Sequence, residues 1–174
     1  MTKISTKILI AIFSCIAAVT LISQARAADS VCSGDKIFVM KAAQGGMTEV
    51  NLGQLAADKG TSHTVKDFGE EMVTDHGNAN TQLNSIAISK GITLPSKLDS
   101  KHQEMVDNLE GLSGADFDKA YVEAMIVAHT KDNSLFSKEA TFGKDADIKS
   151  FAAKTDEMVK MHLSMIQDIQ SKMK

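Results

Sequence analysis

The chain has 174 residues, with 19 basic and 22 acidic side chains, a formal net charge of −3 and two cysteines. An acidic chain without clustered Lys and Arg excludes nucleic acid and anionic membrane surfaces as partners, because both are bound by displacing counterions with cationic side chains. Two cysteines cannot build a disulfide framework, and a chain of about 150 residues buries roughly 70% of its unfolded surface, enough to fold without a disulfide or a structural metal.

The first element is a leader. Met1 to Lys7 is basic, Ile8 to Ile22 is an apolar stretch of 15 residues, and Ala25-Arg26-Ala27 places small residues before a cleavage point at Ala28. Residues 1–27 are expected to be a secretory signal peptide. The stretch is shorter than the about 20 residues that cross a bilayer, so no integral membrane span is expected after cleavage. Loss of Lys3, Lys7 and Arg26 leaves 16 basic against 22 acidic residues, a net charge of −6 on 147 residues. The destination is the periplasm or the envelope. Cys15 leaves with the leader. Cys32 remains in segment 28–35, expected to be flexible, and could join two copies, so a homodimer through Cys32 or through bundle faces is one candidate assembly.

Beyond the leader, apolar residues recur at three and four, which predicts an all-α domain over 36–174. A first helix is expected from near Asp35 to Lys59, with Phe38, Ala42, Gly45, Leu52 and Ala56 inward and a stop at Gly60. Gly45 and Gly46 read as small residues for close helix approach. A second helix, capped by Thr61 or Ser62, runs to Lys90 with Val65, Phe68, Met72, Ala79, Leu83 and Ile86 inward. Residues 91–114 hold Gly91, Pro95, Gly111 and Gly114 around a short amphipathic piece from Asp99 to Glu110, and read as a crossover. A third long helix starts with a capping-box pattern at Ser113 to Asp116 and continues through Phe117, Tyr121, Ala124, Ala128, Leu135 and Phe142 to Gly143. A fourth runs from Asp145 to Met173 with Ile148, Phe151, Thr155, Met158, His162, Met165 and Ile169 inward.

Sliding the chain by 83 residues brings Phe38 onto Tyr121, Leu52 onto Leu135, Gly60 onto Gly143, Val65 onto Ile148 and Phe68 onto Phe151. Two duplicated helical hairpins, neither able to bury its apolar face alone, predict a four-helix bundle. A 23-residue link is long enough to travel the about 40 Å length of helices of this size, which favours the ferritin-like arrangement with one long crossover.

Polar residues at stripe positions need a reason, because burying one without a partner costs several kcal/mol. Glu49, His76, His129 or Asp132, and His162 fall one per long helix near mid-bundle. Glu49 aligns with Asp132 in the duplication, whereas His76 and His162 align only if a three-residue gap is allowed. The cluster reads either as a buried hydrogen-bond network or as a transition-metal site for Cu, Zn or Fe. Ring nitrogens converging on one point would favour the metal, and imidazoles each bonded to a separate carboxylate or carbonyl would favour the network. The diiron pattern Glu-x-x-His is absent, since Val73 and Val159 stand three before His76 and His162. No catalytic nucleophile motif is present. Met72, Met125 and Met158 each precede a histidine by four, three pairs where five histidines and ten methionines would give fewer by chance, and thioether with imidazole suits Cu(I). His63 and His102 lie off this cluster and read as solvated.

The run from Phe38 to Ala56 (FVMKAAQGGMTEVNLGQLA), Val65 to His76 (VKDFGEEMVTDH), Tyr121 to His129 (YVEAMIVAH), Phe151 to Thr155 (FAAKT) and His162 to Met165 (HLSM) resembles a family of exported bacterial ferritin-like proteins of unknown function. Its members are often labelled outer membrane proteins. The resemblance spans about residues 36 to 170. It implies a ferritin-like bundle outside the cytoplasm, with Glu49, His76, His129 and His162 at the family's recurrent polar positions, and it implies no established reaction. A barrel in the outer membrane would need alternating strands, which an all-helical pattern does not supply.

Overall fold

The structure, a computed structural model, describes residues 31–173, so the expected leader lies outside it. Among the described residues the elements are α1 (Ser33–Lys59), α2 (His63–Ser89), α3 (Ser100–Glu110), α4 (Gly114–Phe142) and α5 (Ala146–Lys172), without a strand. The fold is an all-α bundle. No helix among them is long and apolar enough to cross a membrane.

Hairpins α1–α2 and α4–α5 pack so that α1 meets α4 and α2 meets α5, with the short α3 against α1. Glycine ends the first helix of each hairpin. The N–H of Gly60 donates to Ala56 O at 2.9 Å and that of Gly143 to Glu139 O at 2.8 Å. In both cases a Cβ would stand 2.6 Å from the same carbonyl oxygen, so a side chain is barred by close approach rather than by φ. Serine does not cap α2 or α4 as expected: Ser62 and Ser113 occupy the N-cap positions but their side chains make no capping bond, and the Ser113–Asp116 capping box is not formed. Asp99 and Asp145 do cap α3 and α5.

The α1–α2 turn is held instead from the opposite hairpin. Asp118 of α4 accepts from the backbone N–H of Thr61 and Ser62 at 2.9 and 2.8 Å. Asp35 of α1 accepts from Lys144 and Asp145 at 3.1 and 2.6 Å. Every donor and acceptor in one set lies 83 residues from its counterpart, so the duplication carries its own cross-links. The same bonds fix the topology: α4 begins where α1 ends, α2 and α4 therefore run in the same direction, and the crossover returns along the whole bundle. Gln44 of α1 anchors it midway, donating to Lys97 O at 3.1 Å and accepting from Asp99 N at 3.0 Å.

The core is split into two apolar clusters. The lower one is built on Phe38, Val39, Leu83, Phe136, Ile148 and Phe151, and the upper on Leu52, Val65, Phe68, Phe117, Tyr121 and Ile166. Each large aliphatic or aromatic side chain buried this way contributes about 1.5–3 kcal/mol. Duplicated pairs such as Phe38/Tyr121, Phe68/Phe151 and Leu83/Ile166 give one member to each cluster.

Several expected details differ. The chain is ordered before residue 36, since α1 starts at Ser33 and both Val31 and Asp35 are buried. Phe142, expected inward, is 68% exposed at the last position of α4, and Phe136 takes the core place, its ring 5.2 Å from that of Phe38. On α5 the buried face runs through Val159 and Ile166, leaving Met158, Met165 and Ile169 half-buried. The closest approach of α1 and α2 is at Gly53 and Gly69, where a Cβ on either would fall under 3 Å from the other's carbonyl oxygen, while Gly46 is covered by the Asn80 side chain.

Candidate metal centre

A polar layer separates the two apolar clusters. Glu49, His76, His129 and His162 come from α1, α2, α4 and α5, each within three residues of its helix midpoint. All four are buried, His129 and His162 completely. The three imidazole centroids stand 5.4–5.6 Å apart. One ring nitrogen from each histidine lies within 4.8 Å of those of the other two.

Every ring spends its other nitrogen on an acceptor. His76 Nδ1 is 2.8 Å from Glu49 Oε2. His129 Nδ1 donates to Met125 O at 3.0 Å, with Glu49 Oε1 at 3.6 Å. His162 Nε2 donates to Asp75 Oδ2 at 3.0 Å. Left over are His76 Nε2, His129 Nε2 and His162 Nδ1, all buried without a hydrogen-bond partner. An orphaned buried polar atom costs about 1–3 kcal/mol, so three together are not incidental packing. Metal-bound histidines use one nitrogen for the ion and donate the other N–H to a carboxylate or carbonyl, which fixes tautomer and ring orientation. Convergence of the rings and separate acceptors, the two outcomes the sequence sets against each other, are both present and are two aspects of one geometry.

Burial pulls the pKa of each of the three histidines down to about 4, against the opposing charge of nearby carboxylates. The rings are therefore neutral near pH 7, the form that offers a lone pair. Burial also raises the pKa of Glu49. Burial, followed by the charge and hydrogen bond of Glu49, pushes Asp132 up to about 8. The two carboxyls thus share one proton near neutrality and keep one negative charge. Among the described residues no Lys or Arg pairs with Glu49, whose close basic neighbours are the neutral His76 and His129. Burying an uncompensated charge is costly, and a cation on the imidazoles would offset it.

The expected site residues therefore divide into roles. His76, His129 and His162 converge. Glu49, expected to ligate, instead turns its oxygens toward two of the imidazoles, and Asp132 stands half-buried beside it. Met72 and Met125 are fully buried in the upper cluster one turn before their histidines, while Met158 is only half-buried. Phe68 packs against the layer, its ring centroid 6.3 Å from that of His129 and 6.1 Å from that of His162. His63 is exposed, and His102 pairs with Asp99 at 2.7 Å on the crossover. Val73 and Val159, three residues before His76 and His162, carry no carboxylate.

Sequence reasoning missed Asp75. It stands beside His76 but on an outward position of α2, and only the packing of α2 on α5 brings it to His162. The three-residue gap used to align His76 with His162 is also corrected. Buried positions keep the strict 83-residue register through Leu83 and Ile166, so His76 corresponds to Val159, His162 to Ala79 and His129 to Gly46.

The sequence matches the family described as Domain of unknown function (DUF4142) over residues 21–169, and the chain belongs to that family. Comparison with curated proteins yields no match. Among solved structures, the crystal structure of a DUF305 fragment from Deinococcus radiodurans is similar, with a TM-score of 0.72 and 11% identity over 82% of this chain and 98% of that one. At that identity the likeness speaks for the helical-bundle fold alone.

Proposed function

We propose that this chain is an exported, periplasmic bundle of ferritin-like architecture that binds one transition-metal ion at His76, His129 and His162. The observation that carries the reading is the set of three buried, unpartnered ring nitrogens on rings whose other nitrogens are already held by Glu49, Met125 O and Asp75. The long crossover supports the ferritin-like assignment, because bundles of that class use one such connection. The leader pattern of residues 1–27 supports export, and envelope stress is the setting in which a periplasmic metal-binding bundle would act.

Three imidazoles without thiolate suit Zn(II), Cu or Fe(II) and leave one coordination position for water or another ligand. Glu49 and Asp132 supply charge compensation rather than bridging oxygens. The function is binding, and no reaction is assigned.

A second reading has its own support in the Glu49–His76 and Asp75–His162 bonds, which could serve only to fix helix register in a non-catalytic structural or interaction module. Metal analysis of the protein purified from the periplasm, followed by titration of the metal-free chain with Zn(II), Cu(I) and Fe(II), separates them. The metal reading expects one ion per chain bound tighter than micromolar. Weaker binding of all three ions, or binding that survives both His76→Ala and His162→Ala, leaves only the structural reading.

A further inference from the structure

His129 and His162 have no solvent-exposed surface, so an ion needs a route to them. His162 belongs to two donor groups at once. Inside, it converges with His76 and His129; outside, one of its ring nitrogens and one oxygen each from Glu71 and Asp75 lie within 4.8 Å of one another. Glu71 and Asp75 are four residues apart on α2 and so share a face of the helix. Both are half-buried, with the Asp75 side chain 31% exposed. Among the described residues Asp75 pairs only with His162, and every lysine ion pair involves acids other than these two. Burial and the neighbouring Asp75 raise the pKa of Glu71, the cost of holding two like charges together without a cation.

We propose that Glu71, Asp75 and the outer edge of His162 form a second cation position, the port through which a transition-metal ion enters the trihistidine centre. This rests on the metal-binding reading above. The two carboxylates gather a hydrated cation from solvent, which needs oxygen donors and negative charge at the surface. His162 is the one side chain common to both positions, so an ion moving inward passes from carboxylate oxygens to imidazole nitrogens across a single ring. Asp75 keeps the Nε2–H bond and with it the orientation in which Nδ1 is free to receive the ion. A different approach exists at the cleft between Gly46, Asn80 and Thr155, but it ends on Glu49 and Asp132. The two routes separate by substitution.

Co(II) loading of the metal-free full chain, followed by stopped-flow absorbance of its ligand-field bands, tests the port. Glu71→Gln is expected to slow loading about tenfold, the lower range of electrostatic focusing, while the final stoichiometry stays as in the wild type. Glu104→Gln on α3 removes the same charge from an exposed site and is expected to load at the wild-type rate. The port is rejected if Glu71→Gln loads normally, if Glu104→Gln slows loading as much, or if Asn80→Leu slows it while Glu71→Gln does not. A wild-type chain that never binds Co(II) rejects the metal reading itself, an outcome distinct from normal loading that ignores Glu71.

Discussion

The upper and lower halves of the bundle descend from one repeated hairpin pattern, yet only the upper half contains a site. They share the aspartate cross-caps, the glycine stops and the aromatic pairs. Even a lysine contact repeats: Lys66 donates to Ala57 O at 3.1 Å, and Lys149 donates to Thr141 O at 3.0 Å. At mid-bundle the halves part. His129 replaces a glycine, His162 an alanine and His76 a valine relative to their partners at Gly46, Ala79 and Val159. Glu49 and Asp132, the one polar pair the duplication retains, meet at the centre. A trihistidine centre thus needs three side-chain changes on a backbone that stays the same, and the two halves serve as internal controls for each other.

The largest expected effect comes from erasing that difference. A metal present at 100 times its Kd should stabilise the wild type by about 2.7 kcal/mol. His129→Ala should lose this entirely, whereas Gly46→Ala, its partner in the other half, should keep it. Thermal unfolding with and without Zn(II) reads both. Next come the acceptors that hold the rings. Glu49→Gln and Asp75→Asn should each weaken metal affinity by about 10- to 100-fold, the usual loss when the partner of a ligating histidine is changed. Competition against a chromophoric chelator measures this, and unchanged affinity in both variants would detach the carboxylates from the centre.

The features the halves share should respond alike. Asp118→Ala removes a side-chain cap and should cost about 1–2 kcal/mol in urea denaturation without altering metal affinity. Asp35→Ala should cost less. Its end of the bundle carries Glu139, where the other end has Ala56, and burial together with the charge of Asp35 raises the pKa of Glu139 to about 6. Equal losses would show that this carboxyl pair adds no strain.

The smallest effect is a slope with pH. Each site histidine titrates at 6.5 when unfolded and at about 4 when folded, so between those values the unfolded chain binds more protons. Stability on this account is full above pH 6.5 and falls as the pH drops toward 4. Asp132, raised from 3.8 to about 8, acts in the opposite sense, holding its proton in the folded state over that window. Asp132→Asn should therefore steepen the loss of stability between pH 6.5 and 4.5. Denaturation midpoints at those two pH values give the slope, and a shallower one would mean that Asp132 is ionised in the fold.

Much of this architecture is legible in the sequence because it rests on local rules. Apolar spacing gives the long helices within two residues at either end, and Gly60 and Gly143 stop α1 and α4 where expected. The duplication foretells two packed hairpins. Histidines on an apolar stripe are visible as polar residues out of place. What spacing does not carry is contact between elements. Asp118 reads as an ordinary second-turn acid of α4, and Asp35 as the start of a helix, until the hairpins are packed and each reaches the other's turn. Asp75 sits on the polar side of α2 by periodicity, and its role depends on where α5 lies. Glu49 is correctly located in depth, but whether a carboxylate ligates or orients a ring is decided by which ring nitrogen it faces, a matter of ångströms that no spacing encodes.

The central claim, that three imidazole nitrogens hold one metal ion between the two apolar clusters, is tested most directly by anomalous diffraction at the zinc edge from crystals grown with stoichiometric Zn(II). The account predicts a single strong peak about 2.0–2.1 Å from His76 Nε2, His129 Nε2 and His162 Nδ1. Anomalous density confined to surface carboxylates, with none inside the bundle, would contradict it.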